Sequence, residues 1–277
     1  MNAPPVSRGL EMIEIGAEEV HAYPDVIDRI LRHELFGVIV RGVFPAATLA
    51  RVVAEIERQP AAPRFESHTF SGRTYGRVLR MAGEQLDEYF DAAERIRCAV
   101  EAAFGSDTAY ETRLREIIGA LSGGRPVSVP VVGGRSYAPA TVRVLDPGGT
   151  VYLHCGNETY AFPALSELTR VIDPAGEIST LLPLALPERG GELEIYDVCF
   201  GDPRIDELDR RLGREHAQQG LADHLARRVS PAVGDLALFE EGRYYHRVSE
   251  VEGSLARWTM GGFLAPARDS RALHYWS

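Results

Sequence analysis

The chain has 277 residues, of which 45% are hydrophobic and 25% are charged, so it is long enough and apolar enough to bury a sizeable core. Its formal net charge of −10 argues against general binding to a nucleic acid polymer or an anionic membrane surface, because both need an excess of Lys and Arg. Three cysteines without regular spacing and the lack of a membrane-spanning apolar run lead us to expect a cytoplasmic protein with a small-molecule partner.

The N-terminal part, residues 1–125, is predicted to be a helical layer that contains one strand. Helices are predicted over residues 45–59, 84–104 and 110–121, and a strand over residues 37–44. In the first helix Leu49, Val52 and Ile56 recur at helical spacing, which indicates one apolar face.

From about residue 126 to 265 the sequence changes to short β-rich runs separated by turn residues. Strands are predicted over residues 127–132, 141–145, 151–155, 180–186, 192–196, 235–239, 244–251 and 257–264. Many short strands are typical of a sandwich or jelly roll. The charged segment 202–228 is predicted to be a helical surface insertion. We therefore expect one catalytic domain over residues 1–277, mainly β with flanking helices.

Two histidines stand out by their position in predicted strands. His154 ends the strand VYLH, and His246 lies in YYHRV. Imidazole suits iron(II), and a non-heme iron oxygenase normally adds a carboxylate two residues after the first histidine, on the same face of the strand. That position is Gly156, which has no side chain to offer. The pattern predicts a two-histidine metal site without the usual carboxylate.

A single histidine on a strand is more often a packed structural residue than a metal ligand. Arg257, on the strand after His246, strengthens the prediction for both histidines. A buried arginine there can form a bidentate pair with the distal carboxylate of 2-oxoglutarate.

Seven segments resemble the free-standing iron/2-oxoglutarate halogenases of welwitindolinone and hapalindole-type alkaloid biosynthesis. They are RGVFP (41–45), YAPATVR (137–143), HCGN (154–157), PERGGELEIYD (187–197), GRYYHRVSEV (242–251), ARWTMGGFLA (256–265) and YWS (275–277). The resemblance covers nearly the whole chain and is weakest at about 59–83 and 202–228. It implies a double-stranded β-helix, a jelly roll of the cupin kind.

The resemblance also implies the roles of individual residues. His154 and His246 would be the iron ligands, and Gly156 would be the position that chloride takes. Arg257 would anchor 2-oxoglutarate, and Ser179 matches a serine that helps to orient the reactive oxygen in that family. The implied cofactors are Fe(II), 2-oxoglutarate, chloride and dioxygen. The implied reaction is chlorination of an unactivated sp3 carbon, and no carrier protein is expected.

The weakly matching stretch is where the alkaloid halogenases line their substrate pocket. The candidate substrate-binding residues here are Arg73, Thr74, Arg77, Val78 and Arg80, together with Thr159 after the metal motif. Local positive charge, which includes Arg64, suits a phosphate or carboxylate, although a solvated surface would have the same composition. We therefore expect an anionic substrate such as a 2'-deoxyadenosine nucleotide, as in the halogenases of the 2'-chloropentostatin pathway.

Three alternatives stay open. The substrate of the halogenase could be an indole alkaloid. A hydroxylase of the same superfamily would need another carboxylate, and the nearest is Glu158, about 13 Å from His154 along an extended strand. A non-catalytic cupin-like binding protein would merely pack both histidines, but Arg257 beside them argues against this.

Overall fold

Strands form most of the framework in the computed structural model, which describes residues 10–59, 65–66, 70–83, 86–105, 109–159 and 162–277. The strands are β1 Met12–Gly16, β2 Gly37–Arg41, β3 Phe65–Glu66, β4 Phe70–Tyr75, β5 Val127–Ser128, β6 Val131–Val132, β7 Arg135–Ser136, β8 Thr141–Leu145, β9 Thr150–His154, β10 Ile178–Ala185, β11 Arg189–Gly190, β12 Leu193–Cys199, β13 Leu225–Val229, β14 Leu236–Glu240, β15 Tyr244–Val248, β16 Val251–Glu252, β17 Arg257–Pro266 and β18 Leu273–Trp276. The α-helices are α1 Val26–Leu31, α2 Ala46–Glu57, α3 Leu86–Phe104, α4 Tyr110–Leu121 and α5 Pro203–Leu212.

One curled sheet contains most of these strands. Its strand order is β1-β2-β14-β10-β17-β8-β4-β9-β15-β12-β13. The β4 strand joins the two halves of the sheet, because its first residues pair with β9 and its last residues pair with β8. The successive strands β14 and β15 therefore lie in opposite halves. This arrangement confirms the predicted mainly β fold with a jelly-roll core.

Helices cover the half of the sheet that begins with β1. Leu49, Val52 and Ile56 of α2 are fully buried in the main apolar core, as their spacing predicts. Each such side chain contributes about 1.5 to 3 kcal/mol through its burial. No helix within the described residues is long and apolar enough to cross a membrane.

The sequence patterns do not predict several of the strands. The unpredicted β1, β4, β13 and β18 all join the large sheet. The predicted surface insertion 202–228 begins as helix α5 but ends in β13, an edge strand that carries Arg227 and Arg228. Charged edge strands are common because they block pairing with other chains, and they lack clean apolar alternation. The predicted strand 127–132 is divided at Pro130 into β5 and β6.

Candidate active site

The two histidines face each other across adjacent strands. His154 ends β9 and lies directly opposite His246 of β15, with ring centroids 4.3 Å apart. Their Nδ1 atoms lie 2.8 Å from the carbonyl oxygen of Tyr152 and 2.9 Å from that of Tyr244. A neutral imidazole that donates from Nδ1 to a carbonyl leaves Nε2 as the metal-binding atom. The backbone thus prepares both rings to bind a metal through Nε2.

Glu241 provides a carboxylate at the same point. It follows β14, and its carboxylate oxygens lie 3.9 Å from Nε2 of His154 and 3.4 Å from Nε2 of His246. One candidate ligand atom from each of these three residues lies within 4.8 Å of the others. Two donors about 2.1 Å from one metal ion stand about 3.0 to 4.2 Å apart. The donor set and its spacing therefore fit a divalent transition metal.

The charges in this cluster support one another. Burial alone would raise the pKa of Glu241, but His246, His154 and Arg80 together lower it to about 2. Burial and the neighbouring His246 lower the pKa of His154 to about 3. Glu241 is therefore ionised at neutral pH, and His154 is neutral and able to bind a metal.

Gly156 lies against Glu241. It begins the 3₁₀ turn Gly156–Thr159 after β9, and its N–H donates to the carbonyl oxygen of Glu241 over 2.9 Å. A Cβ on this glycine would lie 2.4 Å from Cγ of Glu241 and 3.1 Å from a carboxylate oxygen of Glu177. The space where a carboxylate at position 156 would stand is thus filled by the Glu241 side chain.

Arg80 also lies close to Glu241. One of its guanidinium nitrogens is 3.7 Å from the Glu241 carboxylate, and another donates to Glu177. Its guanidinium carbon also lies 4.0 Å from the centre of the Phe263 ring. The Glu241 carboxylate therefore lies within 4 Å of a guanidinium and of both histidines.

A cavity of about 320 Å³ opens onto this cluster. Its polar and charged lining residues are Arg80, Thr141, Arg143, His154, Glu158, Ser179, Thr180, Glu241, His246, Arg257, Thr259 and Ser277. This volume is within the range of about 300 to 1,000 Å³ that is common for small-molecule sites.

Two arginines, the buried Arg257 and the half-buried Arg143, form a positively charged wall of the cavity. Arg257 begins β17 and is 4% exposed, and its guanidinium lies 3.4 Å from the hydroxyl of Thr259. Thr259 is the cross-strand partner of Arg143. Burial, reinforced by Arg143, lowers the pKa of Arg257 to about 10, so it stays charged near neutral pH. This wall suits an anionic ligand such as a dicarboxylate.

The structure separates the other residues that the sequence singled out. Ser179, on β10 between Phe239 and Phe263, lines the cavity with Val78 and Arg80. The lining does not include Arg73, Thr74 or Arg77.

These three have other contacts. Arg73 pairs with Asp146 at 3.3 Å, Thr74 donates to the carbonyl oxygen of Gly76, and Arg77 pairs with Glu88. Arg64 and the side chain of Thr159 lie outside the described residues.

The Glu158 carboxylate forms its hydrogen bonds with residues other than the two histidines. Its carboxylate accepts hydrogen bonds from Arg214, from the hydroxyl of Tyr245 at 3.0 Å and from the N–H of Cys155 at 3.3 Å. The carboxylate that reaches the histidines is Glu241. The spacing rule for such sites points to the second residue after His154, whereas Glu241 lies five residues before His246, so the sequence pattern does not indicate it.

Comparison with solved structures supports the fold of this chain. Comparison with curated proteins found no match. The chain is similar in structure to the N-substituted L-amino acid dioxygenase from Burkholderia ambifaria AMMD in complex with alpha-KG, with 17% identity, a TM-score of 0.56, and coverage of 92% of this chain and 91% of that chain. A second structure of that dioxygenase gives 16% identity, a TM-score of 0.58, and coverage of 91% and 90%. At this level of identity the likeness shows the fold alone.

A family model described as the carrier-protein-independent halogenase WelO5 matches residues 10–277. The match includes both histidines, Gly156 and the buried Arg257, and it confirms the resemblance drawn from the motifs. The chain therefore belongs to the carrier-protein-independent halogenase WelO5 family.

Proposed function

We propose that the protein is an iron(II) and 2-oxoglutarate dependent halogenase that chlorinates an unactivated sp3 carbon of a free small molecule. The observation that carries the proposal is a pair of histidines whose metal-binding atoms lie close together, with Gly156 two residues after the first of them. A hydroxylase would have Asp or Glu at the position of this glycine. Membership of a carrier-protein-independent halogenase family supports both the chemistry and a substrate that is not tethered.

In this proposal different residues of the cavity wall bind the iron and 2-oxoglutarate. His154 and His246 would hold the iron, and Arg257 would bind the distal carboxylate of 2-oxoglutarate through charge-assisted hydrogen bonds. With 2-oxoglutarate, chloride and dioxygen, the iron would supply the oxidising power that replaces a hydrogen by chlorine.

The protein's own contribution is orientation and exclusion of water. Bonds from Nδ1 to the carbonyls of Tyr152 and Tyr244 fix both rings, and Phe239 packs edge-on against His246 with centroids 5.8 Å apart. Ser179 lines the same cavity and would orient a polar group near the metal. Since substrate placement decides which carbon reacts, these fixed walls govern selectivity.

We further propose that the substrate is anionic, with a 2'-deoxyadenosine nucleotide as the chosen class. With Arg257 assigned to 2-oxoglutarate, and with Arg80 paired with Glu177 and Glu241, Arg143 is the cavity arginine that supports a substrate phosphate. Val78, Met81 and Phe162, which also line the cavity, offer apolar contacts for a ring.

A hydroxylase is the second candidate, and the position of Glu241 favours it. A carboxylate that stands near both Nε2 atoms could serve as the third protein ligand even though it does not follow His154.

Product analysis separates these functions. The enzyme is reconstituted anaerobically with Fe(II) and 2-oxoglutarate, exposed to dioxygen with excess chloride, and given 2'-deoxyadenosine monophosphate or a neutral indole alkaloid. We expect a chlorinated nucleotide by mass spectrometry. Hydroxylated product alone at saturating chloride would establish the hydroxylase. Chlorination of the indole without turnover of any nucleotide would overturn the substrate class.

A further inference from the structure

We propose that Glu241 is a displaceable third protein ligand, which binds the metal together with His154 and His246 until chloride takes its place. The displaced carboxylate would stay paired with Arg80, which already lies 3.7 Å from it. This inference rests on the proposed halogenase function, since it concerns how halide reaches that site.

The first support is reach. One carboxylate oxygen of Glu241 is 3.4 Å from Nε2 of His246, and the other is 3.9 Å from Nε2 of His154. These are separations that two donors on one metal ion can have. The side chain is 4% exposed, so it is confined beside the histidines rather than free in solvent.

The second support is the shape of the space at Gly156. A methyl group there would lie only 2.4 Å from Cγ of Glu241. The glycine therefore makes room for a carboxylate that arrives from a different strand. A halide that binds at this position must displace that carboxylate.

The third support is that only the Glu241 side chain needs to move. Its backbone is held on both sides, because its carbonyl accepts from Gly156 at 2.9 Å and its N–H donates to the carbonyl of Glu177 at 3.3 Å. Arg80 already lies 3.7 Å from the carboxylate oxygen that faces His154, whereas His246 faces the other oxygen. Rotation about the side-chain bonds can release the metal while the ion pair with Arg80 is kept.

The exchange is balanced in bonds and charge. A metal–oxygen bond breaks and a metal–chloride bond forms. One anion replaces another, so the charge at the metal is unchanged. The released carboxylate would keep both its charge and its existing ion pair with Arg80.

The test is metal and chloride binding to the full chain, without turnover. Co(II) is titrated anaerobically into wild type and Glu241→Gln in chloride-free buffer, and the Co(II) absorption bands are then followed as chloride is added. Glu240→Gln is the matched control, because the Glu240 carboxylate is next in sequence but pairs with His33, outside the cluster. Glu241→Asp, which keeps the charge on a shorter side chain, replaces the glutamine variant if that variant does not fold.

We expect Glu241→Gln to weaken Co(II) binding without chloride by at least about tenfold, the scale seen when even an outer partner of a metal ligand is lost. The chloride concentration that gives half of the change in the Co(II) absorption bands should fall, because no carboxylate competes with chloride for the metal. Glu240→Gln should match wild type in both measurements.

Unchanged Co(II) affinity in the folded variant would overturn the inference. Weaker Co(II) affinity with an unchanged chloride concentration for half of the spectral change would also overturn it, because chloride would then not displace this ligand. Failure of the proposed function is visible separately. If wild type shows no chloride effect and gives hydroxylated product, the halogenase proposal fails and Glu241 is a permanent ligand.

Discussion

Gly156 and Glu241 occupy one shared space. They are joined by a 2.9 Å backbone hydrogen bond, and a Cβ on the glycine would lie 2.4 Å from Cγ of the glutamate. The two residues meet beside the histidine pair, although they belong to segments far apart in the chain. A change at either position therefore has to be judged together with the other.

Gly156→Asp should abolish chlorination, because the new side chain collides with Glu241 while it competes with chloride for the metal. The double variant Gly156→Asp/Glu241→Ala removes the collision and should bind iron more tightly than the single variant. Mass spectrometry of products and anaerobic iron titration check both points. Equal iron affinity in the single and double variants would contradict the shared-space interpretation.

His154→Ala and His246→Ala should each lose stoichiometric iron binding, because each removes one of two imidazoles whose Nδ1 is already committed to a backbone carbonyl. Iron content after anaerobic reconstitution and desalting is the measurement. The exposed His216→Ala is the control and should retain iron. Full iron content in both cavity variants would place the metal elsewhere.

Arg257→Ala should weaken 2-oxoglutarate binding and leave iron content intact. Hydrogen bonds to charged groups contribute about 1.5 to 3 kcal/mol, so the Kd should rise about tenfold to a hundredfold. Calorimetric titration of 2-oxoglutarate into Co(II)-loaded protein measures this. Exposed Arg170→Ala is the matched control. An unchanged Kd for Arg257→Ala would show that 2-oxoglutarate binds elsewhere.

Arg143→Leu should weaken binding of 2'-deoxyadenosine monophosphate to the Co(II) and 2-oxoglutarate complex by about tenfold or more, since a charged hydrogen-bond donor is lost. Arg77→Leu is the control, because Arg77 pairs with Glu88 outside the cavity lining. A larger loss for Arg77→Leu than for Arg143→Leu would move the phosphate site out of the cavity.

Asp202 caps helix α5, and the pH dependence of stability should reveal it. Its carboxylate accepts from the N–H and side chain of Arg204, which lowers the pKa of Asp202 to about 2. A depressed pKa stabilises the fold above the unfolded value of about 4, and this contribution disappears as the pH falls through about 2.

Asp202→Ala should therefore lower the free energy of unfolding at pH 7 by about 0.5 to 2 kcal/mol, and the difference should shrink in acid. Asp202→Asn keeps the capping oxygen without the charge and should lose less. Urea unfolding at several pH values gives the comparison. A deficit of constant size for Asp202→Ala from pH 7 to pH 3 would contradict the assigned pKa.

The sequence was sufficient where a pattern is local. Helix α2 followed from apolar spacing, and His154, His246 and Arg257 were chosen from strand context and line one cavity in the structure. Glu241 was missed because its position depends on the pairing of β14 with β10 and β15 with β9, which no local spacing reveals.

Polar strands were missed for a related reason. In β4 the residues Ser71, Gly72 and Arg73 interrupt apolar alternation, and the strand exists because it joins the two halves of the sheet. The basic stretch 73–80 was interpreted as one pocket segment. The structure divides it between Arg80 in the cavity and Arg73 and Arg77, which have acidic partners elsewhere.

The link between β14 and β15 has consequences for engineering. Residues 241–243 are all that separates the two strands, so the distance along the chain from Glu241 to His246 is set by a short connection between the two halves of the sheet. Inserting or deleting one residue there would turn successive side chains to the opposite face of β15 and carry the imidazole away from the carboxylate. Attempts to alter halide preference should therefore vary the amino acid at position 241 and preserve the length of the connection between β14 and β15.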